Sequence, residues 1–164
     1  MVLFSMFGTL MFCSKILMEL LPNIHLLGMF IMVFTVVFRL KALLPIYIFV
    51  MLTGVYAGFA PWWIPYIYIW AVLWGVTMLL PRKMPRAVAA VVYPIVCGLH
   101  GLGFGLLYAP AQAVMFGLNF EGAVAWFLAG LPFDALHGLG NLLSGVLILP
   151  LVELLRRVLP KNIV

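Results

Sequence analysis

Between Lys41 and Arg82, and again between Arg86 and Glu121, the chain carries no Asp, Glu, Lys or Arg. Each gap is far longer than the roughly 20 apolar residues that cross a hydrocarbon layer once. A water-soluble domain averages about 25% charged residues, because its surface must be hydrated. Here the charged share is 8% over 164 residues, with 67% hydrophobic, so there is too little polar material to cover a globule in water. The apolar tracts also run to the far end of the chain, which a secretory leader does not explain. Lipid is the natural solvent for this surface, and in lipid the backbone satisfies its own polar groups in helices. The expected fold is therefore an all-α polytopic membrane protein, read as one membrane-embedded domain over 1–164.

Proline, glycine and basic clusters divide the tracts into six predicted spans, at about 2–20, 24–38, 43–57, 63–80, 87–108 and 133–158. The second and third are short for a 30 Å layer, which thinning, flanking residues or shielding by neighbours would reconcile. The intervening YAPAQAVMFGLNFEGAVAWFLAG, residues 108–130, is too long for a turn and too apolar for a free loop. It predicts a short interfacial helix after Asn119, or a structured bend extending a neighbouring span.

The cations fix the expected topology. Arg39 and Lys41 follow span two, Arg82, Lys83 and Arg86 follow span four, and Arg156, Arg157 and Lys161 follow span six. With six spans these clusters share one side, which the positive-inside rule makes the cytoplasm, with both termini there. The net charge of +5 thus speaks of membrane orientation and not of nucleic acid. The expected location is the cell membrane, multi-pass.

The opposite side receives His25, Glu121, Asp134 and the aromatic run GFAPWWIPYIYIW, residues 58–70. Trp62, Trp63 and Tyr68 suit a headgroup belt. Trp63 and Tyr66 are the better placed to meet a ligand, while Trp70 and Trp74, one turn apart, suit packing or stacking on a planar molecule. In LPFDALHGLGNLLSG, residues 131–145, Asp134, His137 and Asn141 are spaced i, i+3, i+7 and share one helix face. Ionisable groups at membrane depth face the bundle interior or a water-filled cavity. Asp134, just after Pro132, reads either as a helix-start residue or as a ligand contact. His137 lies one turn deeper, and His100 brings a second imidazole to similar depth. Asn141 must be hydrogen-bonded to another helix, to water or to a ligand. Lys15 and Glu19, an i, i+4 pair, either join each other, reach outward or line the same cavity as His25.

Gly98, Gly101 and Gly105 allow close helix approach, and Ser5, Thr9 and Cys13 repeat every four residues as a thin face for a docking helix. Cys13 and Cys97 read as small buried hydrophobes. No compact metal-ligand spacing, P-loop or GxSxG is present, so no metal, no bound cofactor and no catalytic residue is expected. Energy for active transport would come from an ion gradient or an ATP-binding partner.

The run GLLYAPAQAVMFGLNFEGAVAWFLAGLPFDALHGLGNLLSGVLILPLVELLRR, residues 105–157, resembles the C-terminal half of the substrate-binding S component of an energy-coupling factor (ECF) vitamin transporter. FGTLMFCSKILMELLPNIHLLG also looks like the start of such a protein. The resemblance implies six membrane helices that capture a vitamin or precursor from outside. It further implies a transmembrane coupling protein as partner and two cytoplasmic ATPases that use the ATP. Docking in that family commonly uses AxxxA on the first helix; Ser5, Thr9 and Cys13 are the nearest equivalent here. The implied outward cavity matches the region holding Trp63, Tyr66, His100, Asp134, His137 and Asn141, with Glu19, His25 and Trp70 as secondary candidates. Competing readings are a small membrane enzyme using Asp134, His137 and His100 on a lipid-linked substrate, a non-transporting scaffold, and a solitary ion-driven permease.

Overall fold

The structure, a computed structural model, describes residues 2–21 and 24–160. It is all-α: α1 (Val2–Leu17), α2 (Leu27–Phe38), α3 (Leu43–Ala57), α4 (Tyr66–Leu79), α5 (Arg86–Leu102), α6 (Phe104–Phe116), α7 (Phe120–Gly145) and α8 (Ile148–Val158). Four stretches are long and apolar enough to cross a membrane: Leu27–Ala57, Pro61–Leu79, Arg86–Phe116 and Phe120–Gly145. Large apolar side chains remain bare on the outside of the bundle, among them Leu79, Val114 and Phe120, each 84% exposed or more. A soluble monomer rarely leaves such surface in water, and the protein is a multi-pass, membrane-associated one.

The first of these stretches is two helices folded back on each other. Arg39 takes φ 53°, the one non-glycine positive φ among the described residues, and a 3-10 turn over Arg39–Ala42 redirects the chain. The carbonyl of Arg39 accepts from Trp74 Nε1 at 3.1 Å, and its guanidinium donates to the Met78 carbonyl at 2.6 Å. Phe49 on α3 then comes back level with Trp70, ring centroids 6.1 Å apart, where His25 ahead of α2 also lies at 6.0 Å. So α2 descends past α4 and α3 returns. Ten of the twelve α2 residues are buried; this short helix is central, and its neighbours shield it from lipid.

Gly58, at φ 89°, ends α3, and Pro61 and Pro65 open the 3-10 turn and α4, as proline does where no N–H is needed. Beyond the basic loop, α5 and α6 run on with one interruption at Gly103, and α7 returns antiparallel. Gly98, Gly101 and Gly105 face Leu142, Gly138 and Asp134 in turn, and Gly145 meets Pro94. These glycines permit the close approach their spacing predicts.

Residues 108–130 form no separate interfacial helix. Left-handed Gly117 (φ 64°) closes α6, and the Asn119 side chain accepts from Gly122 N–H at 2.8 Å. Asn119 is an N-cap, but the helix it starts is α7, 26 residues long. The last span therefore begins some thirteen residues earlier than its 133–158 assignment, and the fifth extends to Phe116.

The basic clusters gather at one end. Arg86 pairs with Glu153 at 3.1 Å, Arg156 donates to the Val36 carbonyl, and Arg39 reaches Met78; Lys161 lies outside the described residues. Phe4 packs edge-on to Phe38 at 5.3 Å, so the start of α1 and the end of α8 sit at this same end. Cys97 is buried as expected, but Cys13 is exposed: it lies on the face of α1 opposite the buried Gly8, Met11 and Ser14.

Candidate functional site

Away from the basic end, four helices and the segment ahead of α2 bring aromatic rings together around Trp70. This indole is fully buried, with Tyr66 at 5.5 Å, Phe104 at 5.5 Å, His100 at 5.9 Å and His25 at 6.0 Å between ring centroids. His137 closes the ring, 4.6 Å from His25 and 4.9 Å from Phe104. Most of these contacts are tilted or edge-on, the arrangement that ring quadrupoles favour. Asn141 lies one turn below His137, fully buried. A Cβ on Gly28 or Gly101 would stand 2.9 Å from its Nδ2, so two glycines make the room for this amide.

Polar atoms in this cage lack partners. His25 Nδ1, Trp70 Nε1, His100 Nδ1, His137 Nε2 and both amide atoms of Asn141 are buried with no hydrogen bond among the described residues. An unsatisfied buried polar group costs about 1–3 kcal/mol. Six in one place rival the entire stability of a domain, about 5–15 kcal/mol. The chemistry they offer is mixed. His100 Nε2 lies 3.1 Å from the Ile69 carbonyl, which only accepts; the neutral ring therefore carries its proton there and turns Nδ1 inward as an acceptor. Trp70 Nε1 is a donor only, and Asn141 offers both.

Beside the cage, between α6 and α7, an open recess of about 310 Å³ is lined by Tyr108, Gln112, Trp126 and Gly130, with Phe104, Asp134 and His137 at its floor. Tyr108 and Trp126 stack at 5.8 Å. Phe104 and His137 thus belong to both cage and recess and form the wall between them. Pockets for small molecules run from about 300 Å³ upward, so the recess alone suits a modest planar ligand.

The candidates singled out from sequence divide accordingly. Tyr66, His100, His137 and Asn141 join the cage, as do the secondary candidates His25 and Trp70. Trp63 does not: its indole donates to the Val50 carbonyl at 2.8 Å and packs edge-on to Phe59. Its neighbours are structural too, for Tyr68 donates to Leu107 O and Tyr108 to Trp62 O. Asp134 is not a helix-start residue of its own helix, since α7 begins at Phe120. Its carboxylate accepts from Gly105 N–H at 3.1 Å and 3.2 Å, so it caps the first turn of α6 from across the interface, where an anion meets the helix dipole. Glu19 pairs with Lys15 at 3.7 Å and stays mostly exposed, outside the cage. Ser5, Thr9 and Cys13 form an exposed face of α1. No group of three or more His, Cys, Asp or Glu among the described residues is arranged to hold a metal ion.

Phe104, Tyr108, Gln112 and Trp126 escaped the sequence reading. The first three continue the face of His100 at four-residue intervals, a periodicity cut short by ending the fifth span at 108. No family model, no curated protein and no solved structure matches the chain.

Proposed function

We propose that this chain is the membrane substrate-binding subunit of an ECF-type importer, taking a small, flat, vitamin-like heterocycle from outside the cell. One observation carries the reading: a ring of aromatic side chains encloses a cluster of buried donors and acceptors that lack partners among the described residues. Such a lining suits a planar molecule with both donor and acceptor edges, held between rings by stacking and at its rim by hydrogen bonds. The recess between α6 and α7 offers the approach, with Phe104 and His137 as the side chains that must turn aside. ATP hydrolysis belongs to two partner ATPases, and a transmembrane coupling protein joins them to this subunit. The basic end faces the cytoplasm on this reading, and all six passes cross the bilayer.

Native mass spectrometry of protein taken from its host membranes in mild detergent is the direct test. The expected result is one retained heterocyclic small molecule, together with ATP-dependent uptake of that molecule when the coupling protein and ATPases are present. A chain that retains nothing and supports no uptake with the complete module ends the proposal.

The orientation has its own measurement. Single cysteines placed near Met1 and Val164 should react with a membrane-impermeant thiol reagent only after the cells are opened, and one near Glu121 should react in intact cells. Labelling of the two termini from opposite sides would defeat six passes.

For the coupling protein, the exposed face of Ser5, Thr9 and Cys13 is the proposed dock. Thr9→Leu adds bulk there while leaving the inward face of α1 untouched. Uptake should fall while retention of the small molecule by the isolated subunit is unchanged, because close helix packing tolerates added volume poorly. Normal uptake and assembly would place the dock elsewhere.

A further inference from the structure

At the basic end, a cavity of about 260 Å³ opens among α2, α4, α5 and α8, with Arg39, Arg82 and Arg156 in its wall beside Thr77 and Tyr93. No carboxylate lines it, and nearby Glu153 is engaged by Arg86. Two of the guanidiniums are held in place by backbone carbonyls, Arg39 by Met78 and Arg156 by Val36. Arg39 Nε remains buried without a partner among the described residues. Three cations around one cavity, two of them anchored and with donor capacity in hand, make a site for a phosphate-type anion.

A second feature lies directly along the same seam. A groove of about 290 Å³, almost wholly apolar, runs between α4 and α5 towards α6 and is lined by Val72, Leu73, Val76 and Val96, with His100 of the cage also in its wall. Leu73 in the groove and Thr77 in the arginine cavity are one turn apart on α4, and Val96 and Tyr93 are one turn apart on α5. A turn rises about 5.4 Å, so the cationic cavity and the apolar groove lie about one turn apart along the same two helices. Val76 is 43% exposed on that groove, and Leu79 beside it is 84% exposed.

We infer that this seam binds one anionic phospholipid, its phosphate among Arg39, Arg82 and Arg156 and an acyl chain in the α4–α5 groove. Charge complementarity selects the occupant: a zwitterionic lipid brings its own cation into a cavity that already holds three, whereas an anionic one does not. Basic pockets between membrane helices at the cytoplasmic side meet a leaflet rich in anionic lipid. The arginine cavity shares no lining residue with the aromatic cage, and the acyl groove meets the cage at His100.

The test uses the full chain in mild detergent, titrated with phosphatidylglycerol or with phosphatidylcholine of identical acyl chains and read by native mass spectrometry. Wild type should hold one phosphatidylglycerol about tenfold more tightly than phosphatidylcholine, the scale of one charge-assisted contact. The double substitution Arg82→Gln and Arg156→Gln, both at exposed positions, should erase the preference. Val76→Trp fills the groove without touching an arginine, and should lower phosphatidylglycerol retention while leaving inorganic phosphate binding as in wild type. Equal retention of the two lipids, or a preference that survives the arginine substitutions, overturns the inference. Binding of inorganic phosphate with no retained phosphatidylglycerol overturns it as well, and assigns the cavity to a free anion.

Discussion

Gly101→Val is expected to break the α5–α7 interface and, with it, the folded bundle. A Cβ at position 101 would stand 2.8 Å from the His137 carbonyl oxygen, 2.9 Å from the Gly138 Cα and 2.9 Å from Asn141 Nδ2. Two of these are backbone atoms of the facing helix, which cannot swing away as a side chain end does. Valine adds two methyl groups beyond that Cβ, so α7 must move as a body. Overpacking of a close interface costs about 1–3 kcal/mol, occasionally more, and the backbone contact places this case at the upper end. At roughly 2–4 °C per kcal/mol for a chain of this size, thermal unfolding in detergent should fall by roughly 6–12 °C, or folded yield should collapse. Gly75→Ala in α4 is the internal control, because a Cβ there meets nothing within 4 Å; it should match wild type or exceed it slightly. A Gly101→Val protein with wild-type thermal stability would show that the two helices are not in close contact.

The legible part of this architecture was written in charge and in glycine. Lys15 apart, the basic residues cluster where the chain turns at one end, and Arg39, Arg86 and Arg156 do meet residues of neighbouring helices there. Gly98, Gly101 and Gly105 announced close packing before the partner helix was known. What sequence could not give was which helix would be central. Both α2 and α3 are strongly apolar, α2 somewhat the more, yet α2 is enclosed and α3 keeps Met51 and Val55 exposed, because lipid and protein interior select the same side chains. For the same reason residues 108–130 lacked any mark distinguishing an interfacial helix from a continuation of α6 and α7. Asp134 shows the cost of a wrong boundary. Placed at the start of a helix, it reads as that helix's own cap; placed fifteen residues into α7, it is free to cap α6 at Gly105 instead.

The site was legible by residue type more than by position. Histidines and an asparagine at membrane depth demand partners, and four of the six leading candidates do converge on one cage. Trp63 stands outside the cage because an indole near an interface can give its N–H to any carbonyl, and here it donates to that of Val50. Trp70 is the hub for the converse reason: seven residues further on and within α4, it faces Tyr66, His100 and Phe104, and no described carbonyl takes its N–H.

Asn141→Leu distinguishes a binding amide from a structural clamp. An interhelical clamp would place hydrogen bonds from the amide to a neighbouring helix, yet neither Nδ2 nor Oδ1 has a partner among the described residues. Leucine keeps roughly the volume and removes two buried polar atoms, so the empty protein should unfold at the same temperature as wild type or above it. Affinity should move the other way. An amide pairing with a ligand contributes about 1–3 kcal/mol, and its loss corresponds to roughly five- to 150-fold weaker binding. The measurement is a calorimetric titration of folded wild type and mutant with the small molecule recovered from the native protein, paired with thermal unfolding of each without ligand. Weaker binding with undiminished stability assigns the amide to the ligand. Unchanged affinity with a lower unfolding temperature removes Asn141 from the site and returns it to the helix interface; the cage would then have to recognise its ligand through His25, Trp70, His100 and His137 alone.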